Sequence, residues 1–434
     1  MTDISEPAQA DQGQSNSLYR TVWKWHFLAA LYVLPFMAML AFTGGIYLYK
    51  PQIEEIIYAD RLNVEIGPER APTEALLAAV DEAAGLRRTR GVTIEDRDGR
   101  ATVIEFDTED RVRSIAWVNP YTAEVLEVVP RDAMAMRVLR KFHGELLLGD
   151  IGTKFVELAA HWALVMFATG IYLWWPRGQR GWAKVFALPS GTGRRWWRET
   201  HLFTGFLATL LIVPIIITGL PWTDVAGGTL SYVQDQTGQD SKSLRFGGGA
   251  PDSTASEGTP IPLDQVFEVA RAEGLRAPYE MRPARSAEAA HWIRSASVNR
   301  YDQTELVVDQ YTGEVLKRHD FADQPPVAKA VSLGISFHQG ELFGWVNVLQ
   351  NTIAAILGVT LAVSGFVAWW MRRPAGSLGV PAAPDDRVGT GMILLIIGMS
   401  ILLPLVGISL VAALILDWLI FKRLGWFRAP RRAT

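Results

Sequence analysis

Histidine is the residue type through which this chain could carry out redox or metal chemistry. The 434 residues include seven histidines and no cysteine, which excludes iron–sulfur clusters, thiolate-ligated or covalently attached haem, and disulfides. Redox chemistry in such a chain has to use metal held by histidine or a bound organic cofactor. The positions of the histidines therefore carry most of the functional information.

Four histidines lie at equivalent positions of an internal duplication. His26 is followed 17 and 18 residues later by a Thr-Gly pair, and His201 is followed by another at the same offsets. His143 and His338 each follow a phenylalanine, precede a glycine by 27 residues and precede a Trp-Trp pair by 31 and 32 residues. The residues that mark the repeat are Thr43-Gly44, Thr218-Gly219, Gly170, Gly365, Trp174-Trp175 and Trp369-Trp370, together with the matching segments Val118 to Leu126 and Val308 to Leu316.

Apolar segments long enough to cross a bilayer carry these histidines. A hydrophobic content of 49% with 16 Trp favours several membrane helices beside a comparable mass of soluble domain. The expected fold is an α-helical transmembrane bundle of four core spans from the duplication, a C-terminal extension, and two small periplasmic α+β domains. The predicted segments are a disordered cytoplasmic tail (1–18), span 1 (23–50), the first soluble domain (51–135), a Phe-His segment with span 2 (136–176), a cytoplasmic loop (177–198), span 3 (199–222), the second soluble domain (223–330), a second Phe-His segment with span 4 (331–371), a cytoplasmic loop (372–390), a hydrophobic span or hairpin (391–421) and a basic tail (422–434).

The distribution of basic residues predicts the orientation. The loop 177–198 is rich in Arg and Lys, so the positive-inside rule places it in the cytoplasm of a bacterial inner membrane. The N-terminus then lies inside and both soluble domains lie in the periplasm. Residues 391–421 fit either one broken helix or a hairpin around Pro404 and Gly407, and the hairpin is favoured because it keeps the basic tail inside. A net charge of −3 gives no reason to expect a nucleic acid partner.

The duplication predicts two matched pairs of histidines, one at each membrane face. A pseudo-twofold axis along the membrane normal would place His26 opposite His201 at the cytoplasmic face, and His143 opposite His338 at the outer face. Each pair could hold a planar group between two imidazoles, and haem b with two axial histidines is the natural occupant, giving two haems. Two axial nitrogens favour electron transfer, because no coordination position stays open. The alternative is that these are ordinary polar residues at the membrane interface.

His161 breaks the symmetry, because the equivalent position in the second repeat is Ile356. Glu157 lies one helical turn earlier on the same face. His161 is either an alternative axial ligand for the outer haem with Glu157 as its hydrogen-bond acceptor, or part of a proton-transfer pair, or a histidine bonded between helices.

The remaining polar and aromatic residues have simpler interpretations. His291 and His319 lie in the second soluble domain without partners at metal-ligand spacing, which indicates surface or packing roles. The Trp pairs are typical of an aromatic belt. Basic residues near the histidines could bind haem propionates or anchor the chain at the interface: Arg20, Lys24 and Arg198 near the inner pair, Arg140 and Lys141 near the outer pair.

Several of these segments resemble a known family. The Tyr-Thr-Ala/Gly-Glu-Val-Leu segment is similar to the PepSY domain signature. The Phe-His segment, Thr169 to Pro176, the segment around His201 and Leu403 to Leu410 look like the PepSY-associated transmembrane helix family. That family includes iron-regulated inner-membrane proteins and ferrisiderophore reductases of the FoxB type, which pass electrons through membrane haems to ferric siderophore. The resemblance implies haem ligands among His26, His143, His201 and His338, and His161 and the C-terminal extension depart from the family pattern.

Three functions compete. The first is a haem-dependent membrane oxidoreductase that reduces ferric iron in a siderophore or other chelate at the outer face. No nucleotide-binding loop such as GxGxxG is present, so its electron donor would be quinol or a cytoplasmic reductase. The second is a non-enzymatic membrane-anchored binding module or an accessory component of siderophore or metal uptake. The third, a permease, has the least support, because only Glu157 and His161 place ionisable side chains within a span.

Overall fold

The computed structural model of the chain describes residues 7–176, 186–241, 243–244, 250–253, 258–376, 379, 390–417 and 419. It divides into two compact units. The helical unit comprises Met1–Gly45, His143–Leu230 and Gln350–Thr434, and the sheet unit comprises Ile46–Phe142 and Ser231–Leu349. In chain order, the elements are α1 (Pro7–Tyr47), α2 (Lys50–Ile57), α3 (Ala59–Leu62), α4 (Thr73–Ala84), β1 (Leu86–Ile94), β2 (Thr102–Thr108), β3 (Arg113–Val118), β4 (Val125–Pro130), α5 (Ala135–Glu145), α6 (Asp150–Trp174), α7 (Gly193–Gly219), α8 (Val225–Thr237), α9 (Leu263–Ala272), β5 (Tyr279–Arg282), β6 (His291–Ser295), β7 (Thr304–Val308), β8 (Val315–Asp320), α10 (Pro326–Gln339), α11 (Trp345–Trp370), α12 (Thr390–Leu402) and α13 (Pro404–Asp417).

Four helices of the described chain are long and apolar enough to cross a membrane. They are Leu18–Tyr47, Asp150–Trp174, Gly193–Trp222 and Trp345–Trp370, and they correspond to the four predicted core spans. Their lengths of 25 to 30 residues exceed the roughly 20 residues that a bilayer requires. The chain is therefore a multi-pass membrane protein by the length and composition of its helices.

The first helix differs from the prediction at its beginning. The sequence predicts a disordered tail over 1–18, whereas α1 begins at Pro7. A proline in the first helical turn sacrifices no hydrogen bond, because its missing N–H would be unpaired there. The predicted disordered tail over 1–18 stays a prediction, and residues 1–6 lie outside the described part of the chain.

Small residues bring the helices of the helical unit close together. A Cβ added to Gly358 of α11 would lie 2.9 Å from the Cβ of Ala41 in α1 and 3.3 Å from Ile212 in α7. The hydrophobic effect does not drive helices together inside lipid, so their association depends on this close packing of backbones. The small residues thereby hold α1, α7 and α11 at fixed distances.

The C-terminal hydrophobic segment forms two short helices separated at Leu403. Gly407 lies against Ser400, seven residues earlier, since an added Cβ would lie 2.7 Å from the Ser400 Cβ. A straight helix would separate these residues by about 10 Å, so the chain turns sharply here. Trp162 of α6 donates to the Ser409 hydroxyl at 3.0 Å and fastens α13 to the core spans. A sharp turn agrees with the favoured hairpin, whose number of membrane crossings stays a prediction.

The sheet unit is built on one antiparallel sheet of eight strands, in the order β4-β3-β2-β1-β5-β6-β7-β8. Each repeat contributes four strands, and β1 pairs with β5 through the register Val92↔Met281. The sequence predicts two separate α+β domains, whereas within the described residues the strands of both repeats form a single unit. Pairing β1 with β5 is favourable because each would otherwise be an edge strand with unpaired backbone groups.

The two helices that cover this sheet hold each other's N-termini. The amide of Thr73 in α4 donates to Asp264 in α9 at 3.1 Å, and the amide of Leu263 in α9 donates to Glu74 in α4 at 2.6 Å. Carboxylates at helix N-termini satisfy amides that have no partner within their own helix. Because Glu74 and Asp264 are equivalent, this exchange follows the twofold relation of the repeats.

The duplication extends to individual hydrogen bonds at the matched turns. Asn119 accepts from the amides of the second and third residues after it, and Asp309 does the same. Each turn also contains a residue with positive φ, Ala123 at 57° and Gly313 at 74°. The two PepSY-like segments therefore form the same side-chain-stabilised turn.

Candidate functional site

The structure places three of the four repeated histidines in the helical unit. His26 lies in α1, His143 in the last turns of α5, and His201 near the start of α7. His338 lies near the end of α10 in the sheet unit. The predicted inner pair therefore belongs to one unit, and the pairing of His143 with His338 stays a prediction.

Thr169 of α6 fixes the ring of His26. The Thr169 hydroxyl lies 2.9 Å from His26 Nδ1, and its hydrogen is directed to the backbone carbonyls of Val165 and Met166 at 2.9 and 3.1 Å. A hydroxyl whose hydrogen is already engaged can only accept from the imidazole. This assignment of the hydroxyl hydrogen puts the His26 proton on Nδ1 and the lone pair on Nε2.

The same arrangement holds His143. The Thr43 hydroxyl of α1 lies 2.8 Å from His143 Nδ1 and donates its hydrogen to the carbonyl of Met39 at 2.7 Å. The same assignment of the hydroxyl hydrogen puts the proton of His143 on Nδ1. Within the first repeat, α1 and the α5–α6 segment exchange these contacts: each supplies a histidine to a threonine of the other.

In the second repeat a backbone carbonyl takes the place of the hydroxyl. His201 Nδ1 lies 3.1 Å from the carbonyl oxygen of Leu361 in α11. A carbonyl has no hydrogen to give, so His201 must donate from Nδ1. Ser364, which is equivalent to Thr169, donates its own hydroxyl to the same carbonyl at 3.2 Å.

Each of these three rings also lies against a glycine of the neighbouring helix. A Cβ added to Gly170 would lie 3.4 Å from His26 Cε1, and one added to Gly44 would lie 3.2 Å from His143 Cε1. A Cβ added to Gly365 would meet His201 at 3.0 Å from Cε1 and 3.1 Å from Nδ1. The glycines that mark the repeat in the sequence thus leave the space that the imidazole rings occupy.

The shared tautomer suits metal ligation. A histidine that binds a metal through Nε2 needs its other nitrogen to donate to a fixed acceptor, which sets the ring orientation. His26, His143 and His201 all meet this condition, and His26 and His201 are close enough to interact electrostatically. No group of three or more His, Cys, Asp or Glu side chains suited to a metal ion occurs in the described residues. Imidazole nitrogens oriented in this way are donors of the kind that could ligate haem iron.

The threonines and the Leu361 carbonyl were not predicted as functional. The Thr-Gly pair after His26 was recognised as a repeat marker, but a sequence offset does not reveal which helix a hydroxyl faces. Thr169 precedes Gly170 in the same way that Thr43 precedes Gly44. A search for a hydroxyl beside each repeated glycine would have found both.

His161 is fully buried, and neither ring nitrogen has a hydrogen-bond partner among the described residues. Glu157 lies on the same face as predicted, but its Oε1 is 3.9 Å from His161 Nε2, too far for a hydrogen bond. Glu157 instead accepts from the amides of Val225 and Ala226 at 3.0 and 2.7 Å. Its carboxylate caps α8, so both buried nitrogens of His161 are without a hydrogen bond within the part of the chain that the structure describes.

His291 is buried in the sheet unit, in agreement with its predicted packing role. Its Nδ1 accepts from the amide of Ala284 at 3.0 Å. Burial lowers the pKa of His291 to about 4, against the opposing effects of Asp309 and Glu74. His319 lies in β8, opposite Glu305 in the sheet register.

The basic and aromatic residues near the histidines have varied surroundings. Lys141 forms an ion pair with Asp132 at 2.6 Å, so a bound propionate would compete with this carboxylate. Trp174 stacks on Phe206 with ring centroids 4.7 Å apart, and Trp369 packs near Phe27 at 6.4 Å. These Trp residues therefore also join helices, in addition to the interfacial role expected of them.

Comparison with known proteins agrees with this architecture. A search of curated proteins finds no significant match. The family model described as the PepSY-associated TM region matches residues 23–372. This range includes all four repeated histidines, both sets of strands, three of the long apolar helices and the fourth, Leu18–Tyr47, from residue 23 onward. Since this match covers most of the chain, the protein belongs to the PepSY-associated transmembrane family.

Proposed function

We propose that the chain is an electron-transfer protein of the bacterial inner membrane that holds two b-type haems and reduces ferric iron in a siderophore or similar chelate at the outer face. The observation that carries the proposal is the common state of His26, His143 and His201. Each donates from Nδ1 to a hydroxyl or carbonyl oxygen and lies against a glycine. This arrangement leaves Nε2 of each ring in the form that ligates iron.

The inner site is assigned to His26 and His201. Their acceptors lie on α6 and α11, and Gly170 and Gly365 fix the two rings. A haem b held between two histidines supplies a one-electron carrier without an open coordination position. The role of the protein residues is to hold both imidazoles neutral and correctly turned before the cofactor binds.

The outer site is assigned to His143 with His338, and His161 is an alternative ligand. His161 is the only one of the three that is fully buried with both nitrogens unbonded in the described chain. An unbonded buried imidazole is costly in a protein interior, and coordination of iron would remove part of this cost. Because Glu157 is occupied at the N-terminus of α8, we favour ligation over proton transfer for His161.

The remaining parts of the proposal follow from orientation and chelate chemistry. The positive-inside rule places the N-terminus in the cytoplasm and the soluble part in the periplasm. Electrons would enter at the His26/His201 site from quinol or a cytoplasmic reductase and leave at the outer site. Reduction releases the iron, because oxygen-rich chelators prefer the harder Fe(III) to Fe(II).

Reduced-minus-oxidised absorbance spectra of protein purified from haem-replete cells test this proposal. We expect the Soret and α-band signals of b-type haem at two haems per chain. His26→Ala or His201→Ala should each remove one haem, and His143→Ala or His338→Ala the other. The matched control is His319→Ala, which should keep both.

The proposal would be refuted if the wild-type protein showed no b-haem signal. It would also be refuted if His319→Ala lost as much haem as His201→Ala. If His161→Ala removes the outer haem while His338→Ala does not, the outer ligand is His161. A protein without haem would leave the alternative of an anchored binding module, or an accessory component of siderophore or metal uptake, whose ligand would be bound by the sheet unit.

A further inference from the structure

A cavity lined by arginines lies on the sheet unit, and no histidine is among the residues that line it. Its volume is about 530 Å³, which is in the range of pockets that bind small molecules. The side chains that line it are Arg88, Arg90, Arg113, Arg131, Arg137, Arg282 and Arg285. Both repeats contribute, so the cavity depends on the pairing of β1 with β5 that joins them.

The strand register explains why the arginines share one face. Ile104 and Phe106 of β2 point to the helices α4 and α9 and are fully buried in the core. Side chains of a strand alternate between faces, so Glu105 and Asp107 point to the opposite face. Arg88 pairs with Asp107 in the β1–β2 register, and Arg113 pairs with it in the β2–β3 register.

Carboxylates neutralise only part of this positive charge. Asp107 binds Arg90 at 2.6 Å, and Glu105 binds Arg113 at 2.7 Å and Arg131 at 2.5 Å. Two further carboxylates lie nearby: Asp132 binds Arg137 but also Lys141, and Glu280 binds Arg294 at 2.5 Å. Seven guanidinium groups thus surround a space whose own carboxylates are fewer and partly engaged elsewhere.

Arg88 and Arg285 form no ion pair within 4.0 Å of a carboxylate among the described residues, and Asp107 acts on both only through its charge. The buried Nε of Arg88 has no hydrogen-bond acceptor there. Burial lowers the pKa of Arg285, and the nearby charges of Arg88 and Arg90 lower it further, while Asp107 opposes them. Burial likewise lowers the pKa of Arg131, with Glu105 opposing the shift and Arg113 and Arg137 adding to it. Arginine does not lose its proton in proteins, so this repulsion remains in the folded state unless an anion enters.

We propose that this cavity is a binding site for a small soluble polyanion that carries several carboxylate or phosphate oxygens. Guanidinium groups bind both kinds of oxygen in a bidentate manner, and convergent arginines favour a ligand with more than one anionic group. The site lies within the sheet unit and needs no haem, so the inference stands apart from the proposed electron transfer.

Calorimetric titration of the full-length protein in non-ionic detergent tests this inference. The probes are citrate and inorganic pyrophosphate at constant ionic strength, and the trimethyl ester of citrate is the neutral control. We expect saturable binding of at least one polyanion and none of the ester. The double variant Arg88→Gln/Arg285→Gln should bind at least about tenfold more weakly, because it loses two charge-assisted contacts.

The matched control is Arg87→Gln/Arg111→Gln, which removes the same charge from exposed positions outside the cavity. It should bind the polyanion within about twofold of the wild type, since its charges are exposed and screened. The proposal would be overturned if both double variants lost affinity for the polyanion equally, or if the wild type showed no saturable binding.

Thermal unfolding shows whether the substitutions impair folding of the variant. Without ligand, Arg88→Gln/Arg285→Gln should unfold at or above the wild-type temperature, because it relieves like-charge repulsion. Citrate should raise the midpoint of the wild type and not that of the variant. A variant that is stabilised by citrate as strongly as the wild type would contradict the site.

An anionic lipid headgroup carries the same chemistry, so nanodiscs provide a further comparison. With phosphatidylcholine alone, citrate affinity should match the detergent value, and added phosphatidylglycerol should leave it unchanged. If phosphatidylglycerol displaces citrate from the wild type, the site belongs to a headgroup and the assignment to a soluble ligand is wrong.

Discussion

The two repeats hold equivalent histidines in the same protonation state by different means. In the first repeat His26 uses the hydroxyl of Thr169 beside the backbone carbonyl of Met166, whereas in the second His201 donates to the backbone carbonyl of Leu361. The side chain equivalent to Thr169 is Ser364, and its hydroxyl turns to that same carbonyl. The duplication therefore preserves an imidazole that donates from Nδ1 and a glycine beside it. The group that accepts this hydrogen bond differs.

The sheet unit shows a similar divergence at one buried position. His291 in β6 pairs with Val308, and Thr102 in β2 pairs with the equivalent Val118, so the two residues correspond. Both are almost fully buried, but only the histidine titrates. The second repeat thus carries an acid-sensitive group that the first repeat lacks.

The largest expected effect is on the pH dependence of the free energy of unfolding, which should differ between His291 and a threonine at the same position. The folded-state pKa of His291, about 4, lies below the ordinary value of 6.5, so the unfolded chain binds a proton more readily. The free energy of unfolding should therefore fall as pH decreases from 6.5 to about 4, by up to roughly 3 kcal/mol. His291→Thr, which copies the first repeat, should flatten this part of the curve. Denaturant unfolding between pH 4 and 7.5 measures it, and an unchanged acid slope in the variant would assign the slope to other groups.

The second-largest expected effect is a difference in haem binding between loss of the Thr169 hydroxyl and loss of the Ser364 hydroxyl. Thr169→Val removes the hydroxyl partner of His26 but leaves its backbone hydrogen bond at Met166. It should therefore weaken haem binding by about 10-fold, the lower end of the range expected for the loss of a ligand's orienting hydrogen bond. Ser364→Ala should have little effect, because the Leu361 carbonyl still accepts from His201. Haem titration of the apoprotein measures both.

Thr209→Val is the matched control, since among the described residues the Thr209 hydroxyl bonds to the Gly205 carbonyl of its own helix and to no histidine. It should bind haem like the wild type. Equal losses in Ser364→Ala and Thr169→Val would show that the two repeats do not differ in the way the contacts indicate.

Alanine at the repeated glycines should affect the second repeat more than the first. An added Cβ at Gly365 lies 3.0 Å from His201, whereas one at Gly170 lies 3.4 Å from His26, which is ordinary contact. Gly365→Ala should destabilise the protein by about 1–3 kcal/mol through overpacking, and Gly170→Ala by less. Thermal unfolding compares them with Gly398→Ala, whose Cβ would meet open space. A larger loss in Gly170→Ala would reverse the predicted order.

The smallest effect concerns the reciprocal caps of α4 and α9. Asp264→Ala removes the acceptor of both the amide and the hydroxyl of Thr73, whereas Glu74→Ala removes only the acceptor of the Leu263 amide. Each should cost about 1 kcal/mol, with the larger loss for Asp264→Ala. Hydrogen exchange at the Thr73 and Leu263 amides reports each cap separately, and unchanged protection at Thr73 in Asp264→Ala would exclude the contact.

The sequence allowed the spans and the repeat to be predicted because both depend on spacing. The four long apolar helices and the equivalence of the two Tyr-Thr turns followed from hydropathy and offsets alone. The joining of the two sheets through β1 and β5 was not foreseen, because an edge strand does not encode its partner locally. Glu157 was paired with His161 by helical spacing, yet it caps α8, since a distant pair of amides competes more effectively for its carboxylate.

The claim that matters most is that neutral imidazoles of the repeats ligate iron through Nε2. Electron paramagnetic resonance of the oxidised wild-type protein tests it most directly, because two axial nitrogens make ferric haem low-spin. We predict low-spin signals from two haems, with one lost in His201→Ala. A high-spin ferric signal in the wild type, or no haem signal at all, would contradict the assignment.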